Sequence, residues 1–224
     1  MKTRIKIFLD NIPIIGKIII SIWRKFRSVK RLYEERNFVN ALSSKNSNQI
    51  KIVIGSSRKF QEGWIPTDRE YLDILNNNHW KKYFKENSID AILSEHVLEH
   101  LTLKEGELAA SIFFSYLKKG GYIRLAVPDG FNPDEAYIKY QDVGGNFSDK
   151  DGHKILYNYK LLSSVFEAAG FKVTLLEYFD EDGVLHLNHW DPKKGKIHRS
   201  SKFDNRFDPE NPIWTSLIMD AIKE

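Results

Sequence analysis

The apolar positions follow a helical period near the N-terminus and a strand-like one from residue 50 onward. Between Lys17 and Phe38, the residues Ile19, Ile22, Trp23, Phe26, Val29 and Tyr33 recur every three or four positions, while Arg24, Lys25, Arg27, Lys30 and Arg31 fill much of the rest. That spacing predicts an amphipathic helix with a basic polar face. Upstream, residues 5–23 are apolar but broken by Lys6, Asp10, Pro13, Gly16 and Lys17. The clean stretch is too short to cross a bilayer and lacks the cleavage pattern of a secretory signal. Residues 40–49, rich in Ser, Asn and Lys, read as a linker. The expected division is a basic helical arm over 1–39, a linker over 40–49 and one domain over 50–224.

Within that domain, residues 50–54, 64–67, 89–93 and 122–127 are short apolar runs bounded by Gly, Asp, Ser or Pro, the pattern of buried strands. Leu108, Ala109, Ile112, Phe113, Tyr116 and Leu117 mark one face of a helix between the last two, with Gly120 and Gly121 as its expected stop. Strand, helix, strand in that order predicts a parallel crossover and an α/β fold. A second helix is predicted from Leu161, Leu162, Val165, Phe166 and Ala169, stopped by Gly170. Residues 171–178 and 214–222 then read as strands that finish the sheet. The connection between them, 180–212, is long enough to suggest a functional loop or a small subdomain.

Composition narrows the choices. The 224 residues are 42% apolar and 29% charged, proportions that suit an ordinary globular domain. With no cysteine, disulfides, thiolate metal sites and Cys nucleophiles are excluded. Residues 1–36 hold ten basic and three acidic side chains, a balance of +7, which leaves 24 basic and 27 acidic groups, or −3, for the other 188. The basic character therefore belongs to the arm, and the body is not expected to bind nucleic acid. A basic helix carrying Trp and Phe on its apolar side suits peripheral contact with an anionic leaflet through residues 17–38; packing on its own domain or on a second copy suits it equally.

In an open parallel sheet, ligands bind beyond the carboxyl ends of the strands. Here those ends carry Gly55, Asp68, the pair Glu95 and His96, and Asp129. Glycine permits close backbone approach and a carboxylate can take two hydrogen bonds from ribose hydroxyls, so the set suits a nucleoside, although both are also common turn residues. No G-x-G-x-x-G is present, and the thirteen positions from Gly55 to Asp68 leave no room for a helix plus a strand. NAD and FAD are therefore disfavoured. Among side chains able to serve as a base near neutral pH, His is foremost, and the candidates are His96, His153, His186, His189 and His198. His96 and His100 lie four apart, yet Val97 stands where a zinc helix would place its Glu. No metal is expected there, nor at His186, His189, Asp191 and His198, which read as solvated loop groups.

Taken together, residues 52–55, 63–68, 72–75, 89–101 and 117–129 resemble the Rossmann-like class I S-adenosylmethionine-dependent methyltransferases. The tail, over 152–159, 169–173 and 190–199, further resembles a small, largely uncharacterised subgroup often associated with bacterial polysaccharide gene clusters. The resemblance implies a mostly parallel seven-stranded sheet with an antiparallel last strand, S-adenosylmethionine as cofactor, and a cytoplasmic location, peripheral at the inner membrane face if the arm binds lipid. It places Gly55, Ser56 and Ser57 against the methionine moiety, Asp68 on the ribose, Asp73 and Ile74 beside the adenine, and Ser94, Glu95 and His96 near the sulfonium. The methyl acceptor is expected to be a small molecule or a glycan, most simply through a hydroxyl. His96 or His153 would be the base, with Tyr157, Trp190 and Arg199 contacting the acceptor. Two departures stand out: the glycine-rich first loop is reduced to Gly-Ser-Ser, and the first strand lacks an acidic residue. An inactive binding or scaffold protein of the same fold, recruited through its N-terminal helix, is the alternative.

Overall fold

The computed structural model describes residues 15–43, 49–56, 61–144 and 152–224. It divides into two compact units, residues 1–44 and 45–224. In the first, α1 (Ile15–Ser43) runs 29 residues. It extends through residues 40–43, which were expected to be linker; the ion pairs Lys30–Glu34 and Arg31–Glu35 support its preceding turns. Residues 1–14 and 44–48, the start of the predicted apolar run and the rest of the predicted linker, lie outside the described residues. No described helix is long and apolar enough to cross a membrane.

The second unit is built on seven strands, β1 (Lys51–Ile54), β2 (Ile65–Pro66), β3 (Ile89–Glu95), β4 (Leu117–Val127), β5 (Lys172–Phe179), β6 (Leu185–Leu187) and β7 (Leu217–Ile222), in the order β2-β1-β3-β4-β7-β5-β6. β2, β1, β3 and β4 pair in parallel, and β7 inserts antiparallel between β4 and β5. This is the mostly parallel sheet with an antiparallel last strand that the motifs imply. The short edge strand β6, antiparallel to β5, lies inside the stretch expected to be loop, and β7 starts at Leu217 rather than at residue 214.

Among its described residues are four α-helices: α2 (Asn77–Tyr83), α3 (Leu103–Tyr116), α4 (Glu135–Gln141) and α5 (Tyr159–Ala168). A capping box starts α3, with the Thr102 amide donating to Glu105 Oε2 at 2.8 Å and the Glu105 amide donating to Thr102 Oγ1 at 3.3 Å. Gly120 and Gly121 do not stop this helix, which ends at Tyr116. They fall inside β4, where the pairing with β3 shifts register, and Gly120 takes φ +78° to make the irregularity. Trp80 of α2 is fully buried, with ring centroids 5.6 Å from Phe113 and 5.3 Å from Tyr116 of α3.

The other face of the sheet is closed by an irregular segment, residues 188–203. Its Trp190 and Ile197 join Val53, Trp64, Ala91, Leu93, Ala126, Leu176 and Ile218 in one buried cluster. Arg124, 1% exposed, fixes the segment: its guanidinium forks onto Asp220 at 2.7 and 2.8 Å, donates to the carbonyls of Asp191 and Gly195, and lies 5.0 Å over the Trp190 ring. Gln61 clasps it from the β1–β2 connection, donating to Pro192 O and accepting from the Lys196 amide. Gly195 is required here, because a Cβ would sit 3.2 Å from Leu93 Cδ1 with φ at +124°.

Candidate active site at the carboxyl edge of the sheet

Strand register brings the candidate residues to one edge. Ile54 pairs with Ser94, Val53 with Pro66, Glu95 with Ala126, and Val127 with Leu217. Asp68, Gly55, Glu95, His96 and Ser216 therefore follow one another across the sheet at the ends of β2, β1 and β3 and the start of antiparallel β7.

His96 is the focal residue. Its backbone is left-handed, φ +54°, a conformation uncommon outside glycine, and its amide donates to Ala126 O at 2.9 Å. The turn aims the ring back across the strand ends. Nε2 lies 3.0 Å from Ser216 Oγ, and Nδ1 lies 2.9 Å from Glu99 Oε1 and 3.0 Å from an Arg199 amino group. One ring nitrogen cannot donate to a carboxylate and accept from a guanidinium at once. Glu99 is 1% exposed and needs a donor more than Arg199 does; burial pushes its carboxyl up, but His96, when protonated, outweighs this and holds it below the usual range. In the neutral ring, a proton on Nδ1 toward Glu99 leaves the Nε2 lone pair facing Ser216.

That lone pair borders a cavity lined by His96, Ser216, Arg199, Arg206, Tyr137 and Trp214. Arg206 forks onto Asp204 at 2.9 and 2.6 Å and stands 4.3 Å over Trp214. The cavity thus combines a proton acceptor, a hydroxyl, two guanidinium groups and aromatic faces. Only His96 and Arg199 among these were foreseen. Glu99 was legible as the i+3 neighbour of His96, and the remainder come from α4 and the approach to β7, where no motif marks them.

At the other end of the edge, Gly55 adopts φ +73°, and a Cβ there would meet Val97 Cγ2 at 3.1 Å. Ser94 is buried with no hydrogen-bond partner for Oγ among the described residues. Asp68 accepts from the Glu70 amide through Oδ1 and leaves Oδ2 open among the described residues. Asp73 accepts from the Leu75 amide and donates its own amide to His79 Nδ1, with Ile74 buried beside it. Ser56 is half-buried, and Ser57 lies outside the described residues. Glu95 is committed to residues 198–199: Oε1 accepts from the Arg199 amide at 2.7 Å, and Oε2 is 3.5 Å from His198 Nδ1.

Two expected acceptor contacts, Trp190 and Tyr157, and the second expected base, His153, lie elsewhere. Trp190 is 3% exposed and spends its indole N–H on Glu177 Oε1 at 2.8 Å, so its ring is core and offers no stacking face. Tyr157 is fully buried under Gly106, where a Cβ would come within 2.7 Å of its hydroxyl. His153, 5% exposed, donates from Nδ1 to Gln141 O and packs edge-on against His100, away from the lining of the His96 cavity. His186 is paired with Asp180 at 2.6 Å and stacked on Tyr178, and His189 is exposed.

No protein-family model and no curated protein matches the chain. Among solved structures it is similar to a SAM-dependent methyltransferase from Archaeoglobus fulgidus, at 15% identity and TM-score 0.44 over 91% of this chain and 97% of that one. A methyltransferase from Mesorhizobium loti is similar at 11% and 0.46, over 84% and 97%. A possible histamine N-methyltransferase from Thermotoga maritima is similar at 14% and 0.43, over 92% and 96%. At these scores the likenesses carry no assignment, and the fold stands on its own strand order, with the parallel β2-β1-β3-β4 core and antiparallel β7 between β4 and β5.

Proposed function

We propose that the chain is an S-adenosylmethionine-dependent methyltransferase acting on a hydroxyl of a small-molecule or glycan acceptor, with Gly55, Ser94 and Asp68 holding the cofactor and His96 serving as base. The observation that carries the reading is the position of His96: it follows directly on the cofactor edge, its Nδ1 is occupied by Glu99, and its Nε2 opens on a polar, aromatic-walled cavity.

The residues present fit the cofactor on three counts. Asp68 offers an open carboxylate oxygen, the side-chain-free backbone of Gly55 allows close approach, and the Ser94 hydroxyl is buried without a partner among the described residues. Glu95 does not fit a direct contact, because Oε1 anchors the Arg199 amide; its role is to hold residues 198–199 over the strand ends. Bound there, S-adenosylmethionine supplies a methyl group already activated on a sulfonium, so what the protein must add is alignment, exclusion of water and removal of the acceptor proton. His96 Nε2 takes that proton, Glu99 stabilises the imidazolium that results, and Ser216 orients the acceptor hydroxyl toward the ring. Arg199, Arg206 and Trp214 present cations and a flat ring, surfaces that suit a sugar with anionic substituents. A role in polysaccharide biosynthesis at the cytoplasmic membrane face follows from the tail resemblance and the basic arm.

Calorimetric titration with S-adenosylmethionine and S-adenosylhomocysteine tests the reading. We expect saturable binding that weakens by roughly 10- to 150-fold in Asp68→Ala, the worth of a hydrogen bond to a charged group. Absence of binding to folded protein would leave an inactive scaffold of the same fold as the better reading.

A further inference from the structure

Behind His96 lies a polar cluster of which the methyl-transfer reading uses only Glu99. Glu99 and His100 close the 3-10 turn Leu98–His100, and His153 arrives on the segment before α5. Two backbone bonds lock these segments together, from the Lys154 amide to Glu99 O at 2.8 Å and from the Ile155 amide to the same oxygen at 3.4 Å. The potential ligand atoms of Glu99, His100 and His153 all lie within 4.8 Å of one another.

Three independent features point to a cation. The Gln141 carbonyl can only accept, so His153 carries its proton on Nδ1 and its lone pair on Nε2; an imidazole whose second nitrogen donates to a backbone carbonyl is the usual arrangement of a metal-bound histidine. The rings of His100 and His153 stand 5.2 Å apart at 66°, close to the separation of about 5 Å for two imidazoles on a tetrahedral ion with Zn–N bonds near 2.0 to 2.1 Å. Glu99 is 1% exposed, and its Oε2 has no hydrogen-bond partner among the described residues. Oε1 lies 2.9 Å from His96 Nδ1, and a carboxylate this deeply buried requires a compensating charge.

We propose that Glu99, His100 and His153 form a binding site for one divalent transition ion of the Zn²⁺ class, with a water as the fourth ligand. Two imidazoles and one carboxylate suit Zn²⁺ better than Mg²⁺ or Ca²⁺, which take oxygen sets. On a tetrahedral ion, ligand atoms stand about 3.4 Å apart, so binding contracts the cluster by side-chain rotation of roughly 1 Å. Glu99 then bridges, with Oε2 on the ion and Oε1 on His96, and the ion becomes a positioning element for the ring that faces the cavity. The site shares Glu99 with the methyl-transfer reading and is testable without a methyl acceptor.

The experiment uses the untagged full-length protein, stripped with a chelator, dialysed, and titrated with ZnCl₂ by calorimetry and with CoCl₂ by visible absorption. The expected result is one equivalent bound with a dissociation constant of about 1 μM or tighter, together with the intense visible bands of low-coordinate Co²⁺. His153→Ala and Glu99→Gln should each weaken binding at least tenfold, while His186→Ala, on the other paired histidine, should leave it unchanged. Far-UV circular dichroism of each metal-free variant establishes folding, and His100→Gln provides a second imidazole deletion should His153→Ala fail to fold. The proposal is overturned if folded wild-type protein binds no stoichiometric Zn²⁺, if affinity survives loss of either imidazole, or if it is lost in His186→Ala.

Discussion

Asp129 illustrates what burial alone does to one carboxylate. It stands two residues past β4 with no exposed surface, and it accepts from the Phe179 amide at 2.8 Å and the Phe131 amide at 3.0 Å. Burial nevertheless dominates those bonds and pushes its pKa up to about 6, from an ordinary value of 3.8. The folded state therefore keeps a proton that the unfolded chain has released between those two values. Stability from this group is fully present below about pH 4 and is lost as pH rises through 6, by about 3 kcal/mol in all. Asp129→Asn stays neutral throughout and lacks this dependence. In urea denaturation from pH 4 to 8, the wild-type stability minus that of the variant should fall between pH 4 and 6 and then level off; a constant difference would contradict the assignment.

At the scale of elements, the segment over residues 188–203 stands where a helix would ordinarily cover a sheet face, and Glu177 of β5 holds it there. A one-residue bulge between Leu175 and Glu177 turns both Leu176 and Glu177 toward the segment. Glu177 Oε1 accepts from Trp190 Nε1 and Ser201 Oγ, and Oε2 accepts from the Ser201 amide and Thr215 Oγ1, all within 2.9 Å. Each oxygen thus faces one donor that cannot rotate away. In Glu177→Gln the new amide must point its hydrogens at an N–H whichever way it flips, so the substitution is not conservative. We expect a loss of about 3 kcal/mol, measured by denaturation at pH 7. We also expect the first protease cuts to fall within 188–203, since the same bonds hold the Arg199 end against Glu95. Cuts elsewhere and unchanged stability would show that Arg124 and Gln61 suffice.

For the molecule as a whole, the strands buried on both faces were legible because they leave near-continuous apolar runs, as in β1, in β3 around Asp90 and in β4 around Arg124. Short elements were not: α2 and α4 hold seven residues each, and β6 reads Leu-His-Leu in polar surroundings, so their formation depends on caps such as Asn76 and Asp134 and on pairing with β5. The strand-end residues of the candidate site were legible for the same reason as the strands. Its cavity wall was not, since Tyr137, Arg206 and Trp214 meet His96 only through the tertiary path of α4 and the approach to β7. Trp190 misled because a tryptophan in a polar stretch looks like a binding face, whereas here the stretch is itself a core layer. The arm can be judged by function at full length. Ile22, Trp23, Phe26 and Val29 are each at least 60% exposed on α1, beside Lys25 and Lys30. Burying one such aromatic ring in a leaflet contributes about 2 kcal/mol, and each basic side chain near an anionic surface about 1 kcal/mol. Full-length protein should pellet with vesicles containing phosphatidylglycerol but not with phosphatidylcholine alone, and less so as salt shortens the screening length. Trp23→Ser with Phe26→Ser should reduce the bound fraction at least tenfold while leaving S-adenosylmethionine affinity intact. Pelleting that ignores lipid charge and both substitutions would instead assign this apolar face to packing against protein.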